Sequence, residues 1–295
     1  MREPVLRGRV AVVTGAARGV GAALARELSE GGMRVALLGR ECATLHAVAR
    51  TLAGEAHCYA VDVTDKAGMA RAAEQVADDL GQASVVVANA GIAATGPFTT
   101  ADPDLWERVV NVNLLGSATT ARAFLPQLTR TRGYFLQIAS TAAFGAAPMM
   151  SAYCASKAGA ESFAQSLRAE VAPQRIGVGI AYLHWTGTAM TQDIDENPVL
   201  LALRASQPRF AGRVHEAEQV ARWLREGVER RATSVYCPPW LRLMEPLRPL
   251  FPFVVARVAR RALARMDTAA IERSAGVLGA GGAADWQHGH VPPGP

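Results

Sequence analysis

The amino-acid sequence predicts an α/β protein: a doubly wound parallel sheet of the Rossmann type in a single domain, followed by a helical extension. Three observations predict it. Short apolar runs alternate with helix-length segments up to about residue 182, and a glycine-rich turn directly follows the first run. The length of 295 residues suits one large domain, with room for an appendage.

The strands are predicted from the short apolar runs. In chain order these runs cover residues 10–13, 34–38, 56–60, 85–88, 134–139 and 177–181, and a last run at 234–236 closes the sheet. The helix-length segments cover residues 21–30, 67–80, 103–128, 152–170 and 216–230. Right-handed crossovers turn this alternation into a parallel sheet with helices on both faces. After Met190 the alternation lapses into a segment rich in apolar side chains, which we predict to be a mobile substrate lid.

The chain divides into three parts. Residues 1–237 form the predicted Rossmann domain, 238–273 an extension, and 274–295 a tail whose Gly, Ala, His and Pro content predicts disorder. In the extension, Arg257, Arg261 and Arg265 are spaced by four and separated from apolar residues, which indicates a basic amphipathic helix at 253–266. Such a helix lies on an anionic membrane surface or packs on the protein body or a second subunit, and the second interpretation is favoured.

Composition narrows the class of protein. Hydrophobic residues at 50%, charged residues at 19% and a mean hydropathy of +0.09 describe a well-filled globular protein. Most of the net charge of +5 comes from residues 241–273, which contain seven arginines and three acidic residues. This local concentration argues against a general nucleic-acid surface. Without a long apolar run or a signal-peptide core, the expected location is the cytoplasm, peripheral at the membrane if the extension binds one. The four cysteines have no CxxC spacing, so neither a metal site nor disulfides are expected.

The glycine-rich turn at 14–21 has the context that a dinucleotide loop requires, since it follows a strand and opens a helix. Gly15, Gly19 and Gly21 let the backbone approach a pyrophosphate, and Arg18 and Val20 lie between them. Taken alone, the glycines also suit an ordinary tight turn. Their position directly after the first strand favours the nucleotide site.

Cofactor preference is predicted from the end of the second strand. An NAD enzyme commonly has an acid there for the adenosine ribose, whereas this chain has Gly39 and Arg40. Arg40, with Arg18 nearby, would clamp a 2′-phosphate through charge-assisted bonds, so NADP(H) is predicted over NAD(H). The alternative is that both arginines are solvated surface charges. After the third strand, Asp62 is placed to accept from the adenine amino group, with Val63 behind it.

Asn89, Ala90 and Gly91 end the fourth strand. This turn of small residues lets the cofactor and the backbone pass closely, although as an isolated tripeptide it is only a turn signal.

Tyr153 and Lys157 are four residues apart on a predicted helix, so that a phenol and an ammonium share one face. Of 31 basic residues only Lys66 and Lys157 are lysine, which makes a casual positive charge an unsatisfactory explanation. A nearby ammonium and an oxidised nicotinamide both favour the phenolate of a tyrosine, whose ordinary pKa is about 10. Tyr153 is therefore the predicted general acid in reduction and base in oxidation. The alternative, a core or interface aromatic, is disfavoured by its neighbours.

With these motifs the chain resembles the short-chain dehydrogenase/reductase family. TGxxxGxG at 14–21, NAG at 89–91, Asn113, Ser140 and YxxxK at 153–157 occur in the family's order, and the resemblance covers about residues 7–237. It implies that Lys157 also holds the nicotinamide ribose and that Ser140 bonds the substrate oxygen, with Thr141 in reserve. It further implies that Asn113 holds a water in a proton relay from Lys157. The family commonly forms dimers or tetramers through its long central helices, so a homodimer or homotetramer is expected.

The sequence departs from the family after the sixth strand. Where Pro-Gly is usual, this chain has Leu183 and His184, and Thr186 and Thr188 are assigned the carboxamide and phosphate contacts. His184 titrates near neutrality when unperturbed, but a structural histidine is favoured over one that reaches the substrate. Trp185 is predicted to wall the substrate pocket. Three further residues join it there, Phe144, Met149 and Met150.

The predicted function is NADP(H)-dependent interconversion of a lipophilic ketone or aldehyde with its alcohol by hydride transfer. A non-catalytic sensor of NADP(H) redox state on the same fold is the alternative. It is disfavoured because it has no need for Ser140, Tyr153 and Lys157 together. Sugar-nucleotide epimerisation or dehydration fits poorly, since it normally goes with another glycine spacing and a larger substrate domain.

Overall fold

The computed structural model describes residues 6–145, 147–205 and 211–289. In this part of the chain seven parallel strands form the central sheet, in the order β3-β2-β1-β4-β6-β7-β10. They are β1 (Val10–Thr14), β2 (Arg34–Gly39), β3 (Ala56–Ala60), β4 (Ala83–Ala88), β6 (Tyr134–Ser140), β7 (Gly177–Leu183) and β10 (Ser234–Cys237). The predicted doubly wound sheet is confirmed, and each predicted strand lies within two residues of its observed bounds.

Helices cover both faces of the sheet. On one face lie α3 (Lys66–Asp79), α4 (Pro103–Val110), α5 (Gly116–Thr131) and α6 (Ser151–Val171), and on the other α1 (Gly19–Glu30), α2 (Cys42–Ala49) and α9 (Ala217–Glu229). Alternate residues of each strand enter the two cores: Val10 and Val12 face the first group, and Ala11 and Val13 the second. The period-2 alternation of strand side chains explains this division.

The sheet reverses its winding between β1 and β4. From β1 the chain moves outward to β2 and β3, then returns to β4 on the other side and continues to β6, β7 and β10. The loops after β1 and β4 therefore leave the sheet in opposite directions and open a crevice at the carboxyl ends of the strands.

The long helix predicted at 103–128 is interrupted. A π-helical turn, Asn111–Leu115, separates α4 from α5. One extra residue per turn rotates the side chains of this segment relative to a regular helix, and such turns are frequent at functional sites. Asn113 lies in the middle of it.

The segment predicted as a lid is largely helical. Its elements are β8 (Thr186–Gly187), α7 (Ala189–Glu196), α8 (Pro198–Ala205) and β9 (His215–Glu216). Ile194, Val199 and Leu200 are buried, and Ile194 and Leu200 pack with Met150 and Leu278. Phe210, also assigned to the lid, lies outside the described residues.

The extension docks on the domain through α6. Its elements are α10 (Leu241–Met244), a 3₁₀ segment (Glu245–Leu250), α11 (Phe251–Leu263) and α12 (Thr268–Arg273). Arg248 pairs with both carboxylate oxygens of the buried Glu161 and donates to the carbonyl oxygen of Ala143 at 2.9 Å. The ring of Phe251 stacks on Phe144 with centroids 6.4 Å apart. One face of the amphipathic helix thus packs on the protein body.

The disorder predicted for 274–295 is wrong for residues 276–289. These residues, called here the C-terminal segment, form β11 (Gly276–Leu278) and α13 (Gly279–Gly289). β11 pairs antiparallel with a short strand, β5 (Ala93–Thr95), and Leu278 is buried. The segment gains order from strand pairing and long-range contacts, which local composition does not report. Residues 290–295 lie outside the described part.

Across the described residues, the helices lack the combination of length and apolar composition that crossing a membrane requires.

Candidate functional site

The glycine-rich turn lies between β1 and α1, beside the crevice. Gly15 and Gly19 adopt left-handed backbone conformations, with φ of +64° and +55°. A Cβ atom on Gly21 would lie 2.3 Å from the carbonyl oxygen of Gly15, so only glycine fits. Helix α1 begins at Gly19 without a side-chain cap, which leaves its first N–H groups available to an anion. The turn fits the pyrophosphate of a dinucleotide.

Asn89 binds the turn to β4. Its side-chain amide donates to the carbonyl oxygens of Thr14 at 2.9 Å and Gly15 at 3.2 Å. The hydroxyl of Thr14 in return accepts from the backbone N–H groups of Asn89 at 3.0 Å and Ala90 at 3.1 Å. The side chain of Asn89, a predicted cofactor residue, therefore stabilises the conformation of the glycine-rich turn.

Both arginines assigned to the 2′-phosphate have carboxylate partners within the protein. Arg18 pairs with Glu41. Arg40 lies 3.0 Å from Asp285 of the C-terminal segment and 3.9 Å from Asp62. The interpretation of Arg40 and Arg18 as simply solvated charges does not match this arrangement.

The carboxylate of Asp62 is hydrogen-bonded by Thr64 and Arg108. Its carboxylate accepts from Thr64 through the backbone N–H at 2.8 Å and the hydroxyl at 2.7 Å, and from Arg108 at 2.6 Å. Burial works to raise the pKa of Asp62, but these hydrogen bonds outweigh it and lower the pKa. The predicted adenine contact of Asp62 stays a prediction, whereas Val63 does line the crevice.

Arg108 and Asp285 are the site residues that sequence reasoning missed. Arg108 donates to Asp285 from Nε at 2.8 Å and from Nη2 at 3.0 Å, in addition to its bond with Asp62. The one signal for Asp285 in the sequence is that it is the sole acid after Glu272. The composition around Asp285 predicts disorder instead.

Tyr153, Lys157 and Ser140 meet on the other side of the crevice. Tyr153 and Lys157 lie one turn apart on α6, with Nζ 5.7 Å from the centroid of the phenol ring. Ser140 ends β6, and its hydroxyl accepts from the N–H of Ala142 at 3.1 Å and bonds to Tyr153. The structure therefore brings together the three side chains assigned to proton transfer and substrate binding.

Burial shifts the pKa values of both Tyr153 and Lys157. Desolvation raises the pKa of Tyr153 to about 12, against a hydrogen bond from Ser140 that lowers it. Desolvation also lowers the pKa of Lys157 to about 8. Loss of solvent is the largest effect on the phenol, and the lowering of the Tyr153 pKa by Lys157 stays a prediction.

Asn113 is completely buried and holds β5 in place. Its Oδ1 accepts from the N–H of Ile92 at 2.8 Å, and its Nδ2 donates to the carbonyl oxygen of Ile92 and to Ser156 Oγ, both at 2.9 Å. Both amide hydrogens are used. A Cβ atom on Gly91 would contact Asn113 Oδ1 at 3.1 Å and Lys157 Nζ at 3.4 Å, so glycine lets the two approach. The water relay stays a prediction.

After β7, where this chain has Leu183 and His184 in place of Pro-Gly, the loop contains a neutral histidine, His184. His184 Nε2 lies 2.6 Å from the carbonyl oxygen of Ala211, and Nδ1 lies 2.9 Å from the hydroxyl of Thr141. Because a carbonyl oxygen only accepts, Nε2 carries the proton and Thr141 donates to Nδ1. Desolvation lowers the pKa of His184 to about 4. The structural interpretation of His184 matches these contacts, and Thr141 is occupied by them.

Thr186 and Thr188 both line the crevice. Thr186 is buried and its hydroxyl donates to the carbonyl oxygen of His184 at 3.0 Å. The methyl group of Thr188 would lie 3.3 Å from a Cβ atom on Gly19, which places this residue against the glycine-rich turn.

The apolar side of the site differs from the prediction at one residue. Met149, Met150 and Trp185 belong to one apolar cluster with Tyr153, and their role as a substrate wall stays a prediction. Phe144 instead packs between Tyr182 and Phe251, under the guanidinium of Arg248. Because the ring of Phe144 is in contact with the extension through Phe251 and Arg248, its assignment to the substrate pocket is wrong.

Fifteen of the predicted site residues line one continuous crevice, and Asp62 and Asn113 are not among its lining residues. They are Gly15, Arg18, Gly19, Val20, Gly21, Arg40, Val63, Asn89, Ala90, Gly91, Ser140, Tyr153, Lys157, Thr186 and Thr188. The C-terminal segment adds residues of its own to the same crevice, among them Gly281 and Asp285.

Comparisons with known proteins agree with this layout. The family model for short chain dehydrogenase matches residues 9–199. An uncharacterized oxidoreductase of Staphylococcus saprophyticus is 32% identical over 195 residues, or 64% of this chain and 83% of that protein. Estradiol 17-beta-dehydrogenase 11 of Mus musculus is 28% identical over 259 residues, or 85% of this chain and 82% of that protein.

A solved structure is similar as well. The crystal structure of a metagenomic short-chain oxidoreductase in complex with NADP has a TM-score of 0.59 and 34% sequence identity. The match covers 69% of this chain and 93% of that one.

Proposed function

The chain belongs to the short-chain dehydrogenase family of oxidoreductases, and from that premise we propose that it interconverts a lipophilic ketone or aldehyde with its alcohol, using NADP(H). One observation carries the proposal. The hydroxyl groups of Tyr153 and Ser140 and the ammonium of Lys157 share a crevice with an uncapped helix N-terminus and its glycine-rich turn. Proton-transfer groups and a dinucleotide cradle are thus parts of one site.

Tyr153 is the proposed general acid in reduction and base in oxidation. With a pKa of about 12, its phenol is protonated at neutral pH and ready to protonate a carbonyl oxygen. The nicotinamide, when bound, supplies or accepts the hydride. Ser140, already hydrogen-bonded to Tyr153, would orient the same substrate oxygen and bond it as charge develops there.

Lys157 is proposed to bind the cofactor and to stabilise the ionised form of Tyr153. Its ammonium, buried beside Gly91, would hold the nicotinamide ribose hydroxyls and stabilise a phenolate on Tyr153 during oxidation. Asn113 would hold the relay water near Lys157 with the lone pair that Ile92 leaves free on Oδ1. Thr186 and Thr188 would take the carboxamide and phosphate contacts.

NADP(H) is proposed over NAD(H) because Arg40 and Arg18, both at the crevice, are the side chains suited to a 2′-phosphate. The NADP bound to the metagenomic relative supports this choice. Asp62, with Val63, would face the adenine.

A lipophilic substrate is proposed from the apolar wall. Trp185, Met149, Met150 and Met190 pack in one apolar cluster with Tyr153. Such a wall selects by apolar area with few polar contacts. The similarity to an estradiol dehydrogenase points in the same direction.

The extension and the central helices are the proposed contact surfaces. The extension leaves an exposed apolar strip, Leu243, Leu247, Leu250, Phe253 and Val254, beside the exposed Arg257 and Arg261. This combination suits peripheral contact with an anionic membrane surface. Leu115, 53% exposed between α4 and α5, suits a subunit contact in a homodimer or homotetramer.

The test is a screen of NADPH oxidation against ketones and aldehydes of graded apolar area, from acetone to steroid and retinoid carbonyls. The expected result is turnover that rises with apolar area and needs Tyr153. Tight NADPH binding without turnover of any carbonyl would overturn the enzymatic proposal in favour of a non-catalytic redox sensor.

A further inference from the structure

The C-terminal segment closes the adenosine end of the crevice. β11 fixes its start against β5, and the carboxylate of Asp193 on α7 accepts from the N–H of Gly279 at 2.6 Å. From there α13 runs past Arg18, whose Cδ would lie 3.7 Å from a Cβ atom on Gly281, to Arg40. The segment therefore spans the end of the crevice where β2 ends.

Asp285 is the residue by which the segment is attached there. It is 4% exposed, lies 3.0 Å from Arg40 and accepts two hydrogen bonds from Arg108. Arg108 also donates to the carboxylate of Asp62 at 2.6 Å and to the hydroxyl of Thr64 at 3.2 Å. Two guanidinium groups and two carboxylates thus form a neutral, largely buried cluster, the arrangement in which charged groups tolerate burial.

This cluster leaves Arg40 without a free charge for an incoming anion. A 2′-phosphate is a stronger partner than a carboxylate, since it carries close to two negative charges and three acceptor oxygens. Its approach to Arg40 would place it beside the carboxylate of Asp285 in a region of low dielectric, where like charges repel strongly. A nucleotide with a plain ribose hydroxyl meets no such repulsion and can donate to the carboxylate.

We propose that Asp285 is a cofactor-selectivity residue that competes with the 2′-phosphate for Arg40, so that NADP(H) must displace the end of the C-terminal segment while NAD(H) need not. This inference rests on the proposed dinucleotide function. Arg108 still bonds Asp285 twice when the phosphate takes Arg40, so the segment is loosened at this end and not detached. The segment therefore lowers the preference for NADP(H) over NAD(H) that Arg40 would otherwise give.

The first test compares nucleotide affinities of the full-length chain and Asp285→Asn, which keeps the shape and removes the charge. We expect affinity for NADPH and for 2′,5′-ADP to rise about tenfold, as for one charge-assisted bond, with NADH and 5′-AMP within twofold. The double variant Arg40→Ala/Asp285→Asn should lose that gain. The matched control is Glu272→Gln, which removes an exposed acid from the neighbouring α12. Equal changes for both nucleotide pairs, or none, would overturn the proposal.

The second test uses the wild-type chain and does not depend on how a variant folds. Amide hydrogen exchange in residues 279–289 should become faster with saturating 2′,5′-ADP and stay unchanged with 5′-AMP. Slower exchange with both nucleotides would show a segment that clamps the cofactor, and the competition would be refuted. Neither test involves turnover, so the two proposals can fail separately. If both tests give the expected results but the chain reduces no carbonyl, the proposed reaction is refuted and this inference is supported.

Discussion

The Nζ atom of Lys157 donates a hydrogen bond to the carbonyl oxygen of Ile138 at 3.1 Å. This bond fixes the ammonium between the end of β6 and the loop of Gly91, with 4% of the residue exposed. A buried ammonium with one protein acceptor is poorly solvated, and desolvation lowers its pKa to about 8. Burial of this ammonium is therefore expected to lower the stability of the folded chain.

Replacing Lys157 by Met should change how stability depends on pH. The unfolded lysine has a pKa near 10.5, so between pH 8 and 10.5 the unfolded wild-type chain binds more protons and its stability rises with pH. Relative to the Met variant, the wild-type free energy of unfolding should fall by up to roughly 3 kcal/mol as pH drops through this window. Denaturant unfolding at several pH values measures it.

The control for that prediction is Lys66→Met, which removes the chain's other lysine from an exposed position. Its difference from wild type should be flat over the same pH range. A flat difference for Lys157→Met as well would mean that the ammonium is solvated in the folded chain.

Tyr153→Phe should abolish most turnover and retain cofactor binding. The substitution removes the proton donor and leaves the ring, and general acid catalysis typically contributes about 100-fold to 10,000-fold. NADPH binding followed by fluorescence and turnover of the best carbonyl measure the two effects. Tyr59→Phe, far away on β3, is the control and should be neutral for both. Turnover of Tyr153→Phe near that of wild type would refute the assignment.

Sheet, crevice and Tyr153 site could be predicted from the sequence because each rests on a local pattern. Apolar runs mark the strands, the glycines of the turn follow one of them directly, and four-residue spacing puts Tyr153 and Lys157 on one face. The parallel order then brings the ends of β1, β4 and β6 to one edge without further information.

The adenosine end could not be predicted, since its decisive contacts join residues 40, 62, 108 and 285. No local pattern links them, and the C-terminal segment is ordered by partners that are distant in the chain, among them Asp193 and Arg108, 86 and 177 residues away from the groups they bond. The π-helical turn was missed for another reason: helical periodicity continues on both sides of one inserted residue, so the pattern at 103–128 still indicates a single helix.

Arg40→Ala should weaken NADPH binding and leave NADH binding nearly unchanged. A charge-assisted bond to phosphate is worth about 1.5–3 kcal/mol, which corresponds to a loss of roughly tenfold to 100-fold in NADPH affinity. Isothermal titration with both nucleotides measures it. Arg50→Ala, an exposed arginine after α2, serves as the control. An unchanged preference would remove Arg40 from the 2′-phosphate site.

Arg248→Met should destabilise the whole chain. The variant leaves Glu161, 2% exposed, with the hydroxyl of Tyr182 at 2.8 Å but without its cation. Removing one partner of a buried ion pair typically costs about 3–5 kcal/mol. Equilibrium unfolding should show that loss, and Glu161→Leu/Arg248→Met should recover much of it because no unpaired charge remains. Arg260→Met, on the exposed face of α11, should change stability by less than about 0.5 kcal/mol. A similarly small change for Arg248→Met would mean that the extension is held by its apolar contacts alone.

Leu250→Ser/Phe253→Ser tests membrane contact through the exposed apolar strip. The two side chains are 57% and 76% exposed, so serine substitution costs little packing in the chain itself. If the strip inserts at an anionic surface, losing two apolar anchors should lower partitioning onto phosphatidylserine vesicles by at least about tenfold. Sedimentation with these vesicles and with neutral phosphatidylcholine vesicles measures it. Phe98→Ser is the matched control, because Phe98 is 72% exposed but lies away from the arginines of the extension. Partitioning that is equal for the double variant and wild type, or equal on neutral and anionic vesicles, would show that the extension serves the fold or a subunit contact instead.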